Sequence, residues 1–157
     1  MDEPAAFPTP GRVRYWLFLP ALLLLLIWQS GAFAATLAIN ISGVRDTQGK
    51  VAVALFSSAA GFPKDDSKAI RRIMLPIDAA SHSARIVLSD IVPGSYAIAA
   101  FHDDNNSGKL ETNFFGVPKK GYGFSNNPKP RMRPATYDEA RFVVPAAGAS
   151  VSIQLVY

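Results

Sequence analysis

Between Asp103 and Glu111 the chain reads D-D-N-N-S-G-K-L-E, a run of oxygen-bearing side chains around a single glycine. Counting Asp103 as position 1 puts Asn105 at 3, Ser107 at 5, Gly108 at 6, Lys109 at 7 and Glu111 at 9. A calcium loop needs hard oxygen donors at alternate positions, glycine at 6 for the sharp turn and a backbone carbonyl at 7. Asp103, Asn105, Ser107, the Lys109 carbonyl and Glu111 meet those needs, so the cofactor this spacing implies is Ca²⁺. Position 12, where an EF-hand places its bidentate glutamate, is Phe114, and the flanks read as strand and irregular loop. The alternative is a plain Asx-rich turn, because Asp, Asn, Ser and Gly are ordinary turn formers. Three acids in nine residues repel one another without a cation, which favours a weak site in the roughly 10⁻⁴–10⁻³ M range of extracellular modules.

His102 precedes this run and alternates with Tyr96, Ile98 and Ala100, so it is expected at the core edge, bonded to loop backbone. A triad of His102, Asp103 or Asp104, and Ser125 is the enzymatic alternative; no G-x-S-x-G elbow supports it. Zinc is disfavoured, since the other histidine, His82, lies in a separate turn and the chain has no cysteine.

From Thr112 to Tyr137 there is no acid, while Lys119, Lys120, Lys129, Arg131 and Arg133 all occur. One reading is an electropositive, aromatic-bearing surface for an anionic or sugar-like ligand. Its candidate contacts are His102, Asn113, Lys119, Lys120, Tyr122, Phe124, Ser125, Asn126 and Asn127. The other reading is a set of solvated charges with the aromatics turned inward. Gly121 and Gly123 are expected where the backbone bends tightly around Tyr122.

The elements that position these residues follow from period-two alternation. Residues 36–42 read as a half-buried strand, 46–49 as a turn and 50–57 as a central strand, the two strands forming a hairpin candidate. A helical turn is expected near 64–68, with strands at 70–77, 84–88, 96–102, 142–144 and 150–155. About seven short strands without a long helical period point to an all-β antiparallel sandwich. The exception is 103–141, too long for an ordinary connection; its aromatics argue for one ordered loop covering an end of the sandwich.

The first 34 residues are set apart from this domain. Arg12 and Arg14 precede an apolar run from Leu17 to Trp28 and the small-residue triplet Ala32-Phe33-Ala34. These are the marks of a secretory signal peptide cleaved after Ala34, with an uncleaved anchor as the alternative. Residues 35–157 then form one domain, periplasmic or secreted, that touches a membrane only if the leader is retained. Removing the leader takes away two basic and two acidic residues and leaves the net charge at +4. That mild excess is no nucleic-acid signature. The absence of cysteine excludes disulfides, thiolate metal sites and cysteine nucleophiles.

The stretch G-S-Y-A-I-A-A-F-H-D-D-N-N-S-G-K-L-E-T-N-F-F-G-V-P-K-K-G-Y-G-F-S-N-N, followed by P-A-T-Y-D-E-A, resembles the bacterial secreted family termed domain of unknown function 2141. The pattern falls on Pro93, Gly94, Tyr96, His102, Asp103, Asn105, Gly108, Leu110, Thr112, Asn113, Gly116, Pro118, residues 121–127, Pro134, Tyr137 and Ala140. Ser107 and Glu111 replace the family's asparagine and aspartate, and both keep an oxygen donor. The resemblance implies an exported transthyretin-like Greek-key sandwich and brings no activity. Hydroxyisourate hydrolases, a group of that fold, end in Tyr-Arg-Gly-Ser, whereas this chain ends Gln154-Leu155-Val156-Tyr157, so their chemistry does not carry over. The expectation is a non-enzymatic binding or structural module acting on an unknown envelope ligand or protein. An envelope-assembly partner and, behind it, a hydrolase using His102 are the alternatives.

Overall fold

A computed structural model describes residues 34–157, apart from 115–117 and 132. The expected leader therefore lies outside the described residues, except for Ala34. Eight strands form two sheets. The three-stranded sheet runs β4 (Ala84–Ile91), β1 (Ala35–Ser42), β8 (Ala149–Gln154). The five-stranded sheet runs β3 (Arg71–Leu75), β2 (Lys50–Phe56), β5 (Gly94–Asp103), β6 (Tyr122–Phe124), with β7 (Phe142–Val144) also paired to β5.

Alternation decides which side chains meet between the sheets. Leu37, Ile39 and Ile41 of β1 and Val151 and Ile153 of β8 face Val51, Val53 and Leu55 of β2 and Tyr96, Ile98 and Ala100 of β5. Each such aliphatic side chain contributes roughly 1.5–3 kcal/mol by leaving water. β2 is buried on its second face as well, by Ala52 and Phe56, as its continuous apolar character requires.

Three expectations are corrected. β1 and β2 do not pair as a hairpin; they lie in different sheets, and the 43–49 connection crosses the sandwich. The alternation that gives each strand an apolar face does not say which neighbour completes its ladder. The sheets are not wholly antiparallel either, since β1 and β8 run parallel from Leu37↔Ala149 to Ser42↔Gln154. A parallel pair needs a long crossover, and nearly the whole domain lies between these two strands. Finally, 103–141 is not one loop: it contains β6 and the short helix α1 (Tyr137–Ala140). Only Tyr122-Gly123-Phe124 pairs with β5, too few residues for an alternating signature.

β5 organises the site. Along one edge it pairs with β2 from Phe56↔Ala97 to Lys50↔Asp103. Its other edge is shared, by β7 at residues 94–96 and by β6 at residues 99–101. His102, Asp103 and Lys120 lie at the far end of β5, and Ser125 lies in the gap between β6 and β7.

Candidate functional site

The β5–β6 register places Phe101 opposite Tyr122, and His102 N–H donates to Gly121 O at 2.8 Å. Continued by one residue, that register sets Lys120 across from Asp103. Both side chains are buried, and Lys120 Nζ lies 3.1 Å from Asp103 Oδ1. The ammonium also donates to Asn105 Oδ1 at 2.5 Å and Ser107 Oγ at 3.2 Å. Asp104 Oδ1 at 3.2 Å and Glu111 Oε1 at 3.6 Å complete its surroundings. Asp103, Asn105, Ser107 and Glu111, four of the five residues that the spacing assigns to a cation, thus surround a cation that the chain itself supplies.

The loop folds around this charge. Asp103 accepts Ser107 N–H on Oδ1 at 3.0 Å and Gly108 N–H on Oδ2 at 2.7 Å. Asn106 and Gly108 turn the backbone at φ 54° and 70°, the conformation that asparagine and glycine tolerate best. Asn105 Nδ2 donates to Glu111 Oε1 at 2.9 Å, closing the loop between its third and ninth positions. The Lys109 carbonyl accepts from Ser107 Oγ at 3.2 Å, while the Lys109 side chain is exposed. Burial pushes the Asp103 carboxyl up, but Gly108 N–H, Lys120 and Ser107 outweigh it and hold it below the usual range. Burial likewise lowers Lys120, and Asp103 and Asp104 outweigh it and raise it. Glu111 is held down by Asn105 first and then by Lys120. Among the described residues no group of three His, Cys, Asp or Glu side chains is arranged to hold a metal ion.

His102 is buried and engaged on both ring nitrogens. Nε2 lies 2.8 Å from Gln48 O and Nδ1 lies 2.9 Å from the Tyr157 hydroxyl. A carbonyl can only accept, so Nε2 carries the proton and Nδ1 accepts from Tyr157. The Tyr157 oxygen in turn accepts Arg45 N–H at 2.8 Å, and the Arg45 guanidinium stacks 4.0 Å from the Tyr157 ring centroid. The core-edge expectation for His102 agrees with this placement; its partner Tyr157 carried no motif that would have signalled it.

Ser125 fills the gap between β6 and β7. Its N–H donates to Ile98 O, its Oγ accepts Ile98 N–H at 2.9 Å, and the hydroxyl donates to Ala140 O at 2.5 Å. The hydroxyl thus stands in for a strand carbonyl. Ile98 and His102 are four residues apart along β5, about 13 Å, and the structure does not bring Ser125 and His102 together. Asn126 and Asn127 both adopt positive φ, and their amides act as latches. Asn126 donates to Glu139 O and Arg141 O at 3.3 and 2.8 Å. Asn127 donates to Ser152 O and accepts Gln154 N–H at 3.0 and 2.8 Å, tying the loop to β8 in the other sheet.

The remaining candidates separate. Phe124 is buried and Tyr122 half-buried; Phe62 packs 5.9 Å from Phe124 and 6.0 Å from Tyr137. Lys119 is exposed, and Arg133 forms a two-pronged ion pair with Glu139 that holds the Glu139 carboxyl down to about 2. Asn113 is exposed; its neighbour Thr112 bridges to Pro118, and Lys119 N–H donates to Glu111 O. Gly121 and Gly123 correct the bending expectation. Neither has positive φ; a Cβ at Gly121 would strike the Tyr157 ring, and one at Gly123 would lie 2.8 Å from Gln154 O. The C-terminal segment presses on β6 there, and Tyr122 and Val156 exchange backbone hydrogen bonds.

A family model, described as an uncharacterized protein conserved in bacteria (DUF2141), matches residues 39–153. The chain belongs to the DUF2141 family. No curated protein and no solved structure matches it. Within this DUF2141 domain, the motif residues His102, Asp103, Asn105, Ser125, Asn126 and Asn127 each hold internal hydrogen bonds that join β5, the connecting segments and β8.

Proposed function

We propose that this DUF2141 domain is an exported, non-enzymatic binding or structural module of the transthyretin-like, Greek-key class. In this reading its 103–111 segment is a calcium-type loop in which the Lys120 ammonium takes the ion's place. One observation carries the reading: Lys120 Nζ sits among oxygens of Asp103, Asp104, Asn105, Ser107 and Glu111. A loop with its own resident charge needs no metal to order it, and its role is to hold the chain entering β6 against the end of β5. Calcium enters this loop only by displacing Lys120. The Ser125 hydroxyl, bonded to Ile98 N–H and Ala140 O, counts against the hydrolase alternative that pairs it with His102, because nucleophile and base must be within hydrogen-bond reach.

Thermal melting in millimolar Ca²⁺ and in EDTA tests it, on the wild-type chain and on Lys120→Met. The reading requires no calcium shift in the wild type. It also requires a large loss in Lys120→Met, part of which calcium restores. A wild-type melt raised by calcium and lowered by EDTA would make the loop an ordinary calcium site.

A further inference from the structure

Free strand edges recruit further strands, so natural sheets cover, shorten or charge them. The outer edge of β8 is capped by Asn127, which donates to Ser152 O and accepts Gln154 N–H. β6 is closed by Val156, which exchanges backbone hydrogen bonds with Tyr122. β7 is three residues long and is followed by Pro145. β3 has five residues and carries the exposed, ion-paired Arg71 and Arg72. β4 differs. It ends the three-stranded sheet, with β1 as its neighbour there, and spans eight residues without lysine or proline. Its middle is Ile86-Val87-Leu88. Val87 is 51 % exposed on the outer face, and Ile86 and Leu88 are only partly buried against the core. Arg71 reaches Asp90 at 2.6 Å across the seam between the sheets, which leaves residues 84–88 as the open length.

We infer that β4 pairs antiparallel with β4 of a second copy of this chain, about a two-fold axis at Val87, joining two three-stranded sheets into one. Residues directly opposite in an antiparallel pair share a face, so the register must match core face with core face. Centred on Val87, it does. Ile86 lies opposite Leu88 of the second copy, Leu88 opposite Ile86, and Val87 opposite Val87. Both faces of the new ladder are then aliphatic, and the half-buried Ile86 and Leu88 gain cover. Charge agrees with this register. Arg85 of one copy comes beside the Ser89-Asp90 end of the other, while the two Arg85 backbones stand about 13 Å apart. Asp90 already holds Arg71, and a carboxylate has acceptor sites for a second guanidinium. A strand that complements itself makes a closed two-fold interface and needs no other partner. This interface is separate from the Lys120 clasp, which lies in the five-stranded sheet, so either can fail alone.

The chain has no cysteine, so thiols can be introduced singly. Residues directly opposite bring their Cβ atoms to about 4.5–5.5 Å, near enough for a disulfide under mild oxidation. The full chain carrying Val87→Cys is therefore expected to give about tenfold more covalent dimer than Ser152→Cys, an exposed control on β8. Sedimentation equilibrium of the unsubstituted chain is expected to show a dimer. Val87→Lys is expected to weaken it about tenfold or more, because like charges would face each other and two valines leave the ladder. Val87→Thr, which keeps the β-branched shape, is expected to retain most of it. If Val87→Lys fails to fold, the ratio of cross-linking between the two cysteine variants decides alone. A chain that sediments as a monomer, a dimer indifferent to Val87→Lys, or equal cross-linking of the two cysteine variants overturns the inference. So does Val87→Cys that cross-links in whole cells to a different protein and never to itself.

Discussion

Lys120 Nζ stands 3.1 Å from Asp103 Oδ1, across the extended β5–β6 ladder, with both side chains withdrawn from solvent. Breaking such a pair strands a buried carboxylate among two further acids. Lys120→Met is therefore expected to cost about 3 kcal/mol, the lower end for loss of one partner of a buried pair. Replacing both partners, as in Lys120→Met with Asp103→Leu, is expected to cost less than Lys120→Met alone. Urea denaturation of the wild type and the two variants makes the comparison.

The same clasp sets the pH range of the domain. The Asp103 and Glu111 carboxyls are held below their usual range. Their contribution is thus complete above the unfolded values near pH 4 and is lost as pH falls through the folded ones. Lys120 is raised, so its contribution is complete below about pH 10.4 and is lost only as pH rises beyond that. Melting temperature should be flat through neutrality and fall below about pH 4. In Lys120→Met the acid limb should begin at higher pH, because Asp103 loses one of the groups that lower it.

Ser125→Ala leaves Ile98 N–H and Ala140 O without the hydroxyl that joins them. The expected cost is about 1–3 kcal/mol, the desolvation penalty of buried groups left unpaired. Hydrogen exchange at the Ile98 amide should accelerate more than exchange at Val53 in the sheet centre. Unchanged protection at Ile98 would remove the serine from its ladder role.

His102 is expected to carry a ring proton on Nε2, readable from its ring nitrogen shifts. Tyr157→Phe removes the donor to Nδ1 and the acceptor of Arg45 N–H, with an expected cost of about 1 kcal/mol. An Nδ1-protonated ring would contradict the bonding of Nε2 to Gln48 O.

Gly123→Ala introduces a methyl group 2.8 Å from both Gln154 O and Ile153 Cγ2. Because the first obstacle is backbone, β6 must move away from β8, at an expected cost of about 1–3 kcal/mol. Thermal melts should show Gly108→Ala failing for a different reason, since Gly108 has open space around it but a φ of 70°.

Local chemistry was legible in the residues themselves. The alternation of Leu37, Ile39 and Ile41 with polar neighbours set a strand and its buried face, because side chains alternate across a sheet. The Asp103–Glu111 spacing set a loop that must gather oxygens around positive charge, because three acids so close repel. What no local pattern carried was pairing between residues distant in the chain. Lys120 read as part of a basic surface, and only the β5–β6 register carried it to Asp103. Ser125 read as a nucleophile candidate until the gap between β6 and β7 showed a hydroxyl completing a ladder. β1 and β2 looked like a hairpin, yet each found its partners elsewhere. Sequence alone determined which side chains seek apolar burial and where the backbone must turn. Which cation fills the acidic loop was a matter of register, and register is settled by the packing of whole sheets.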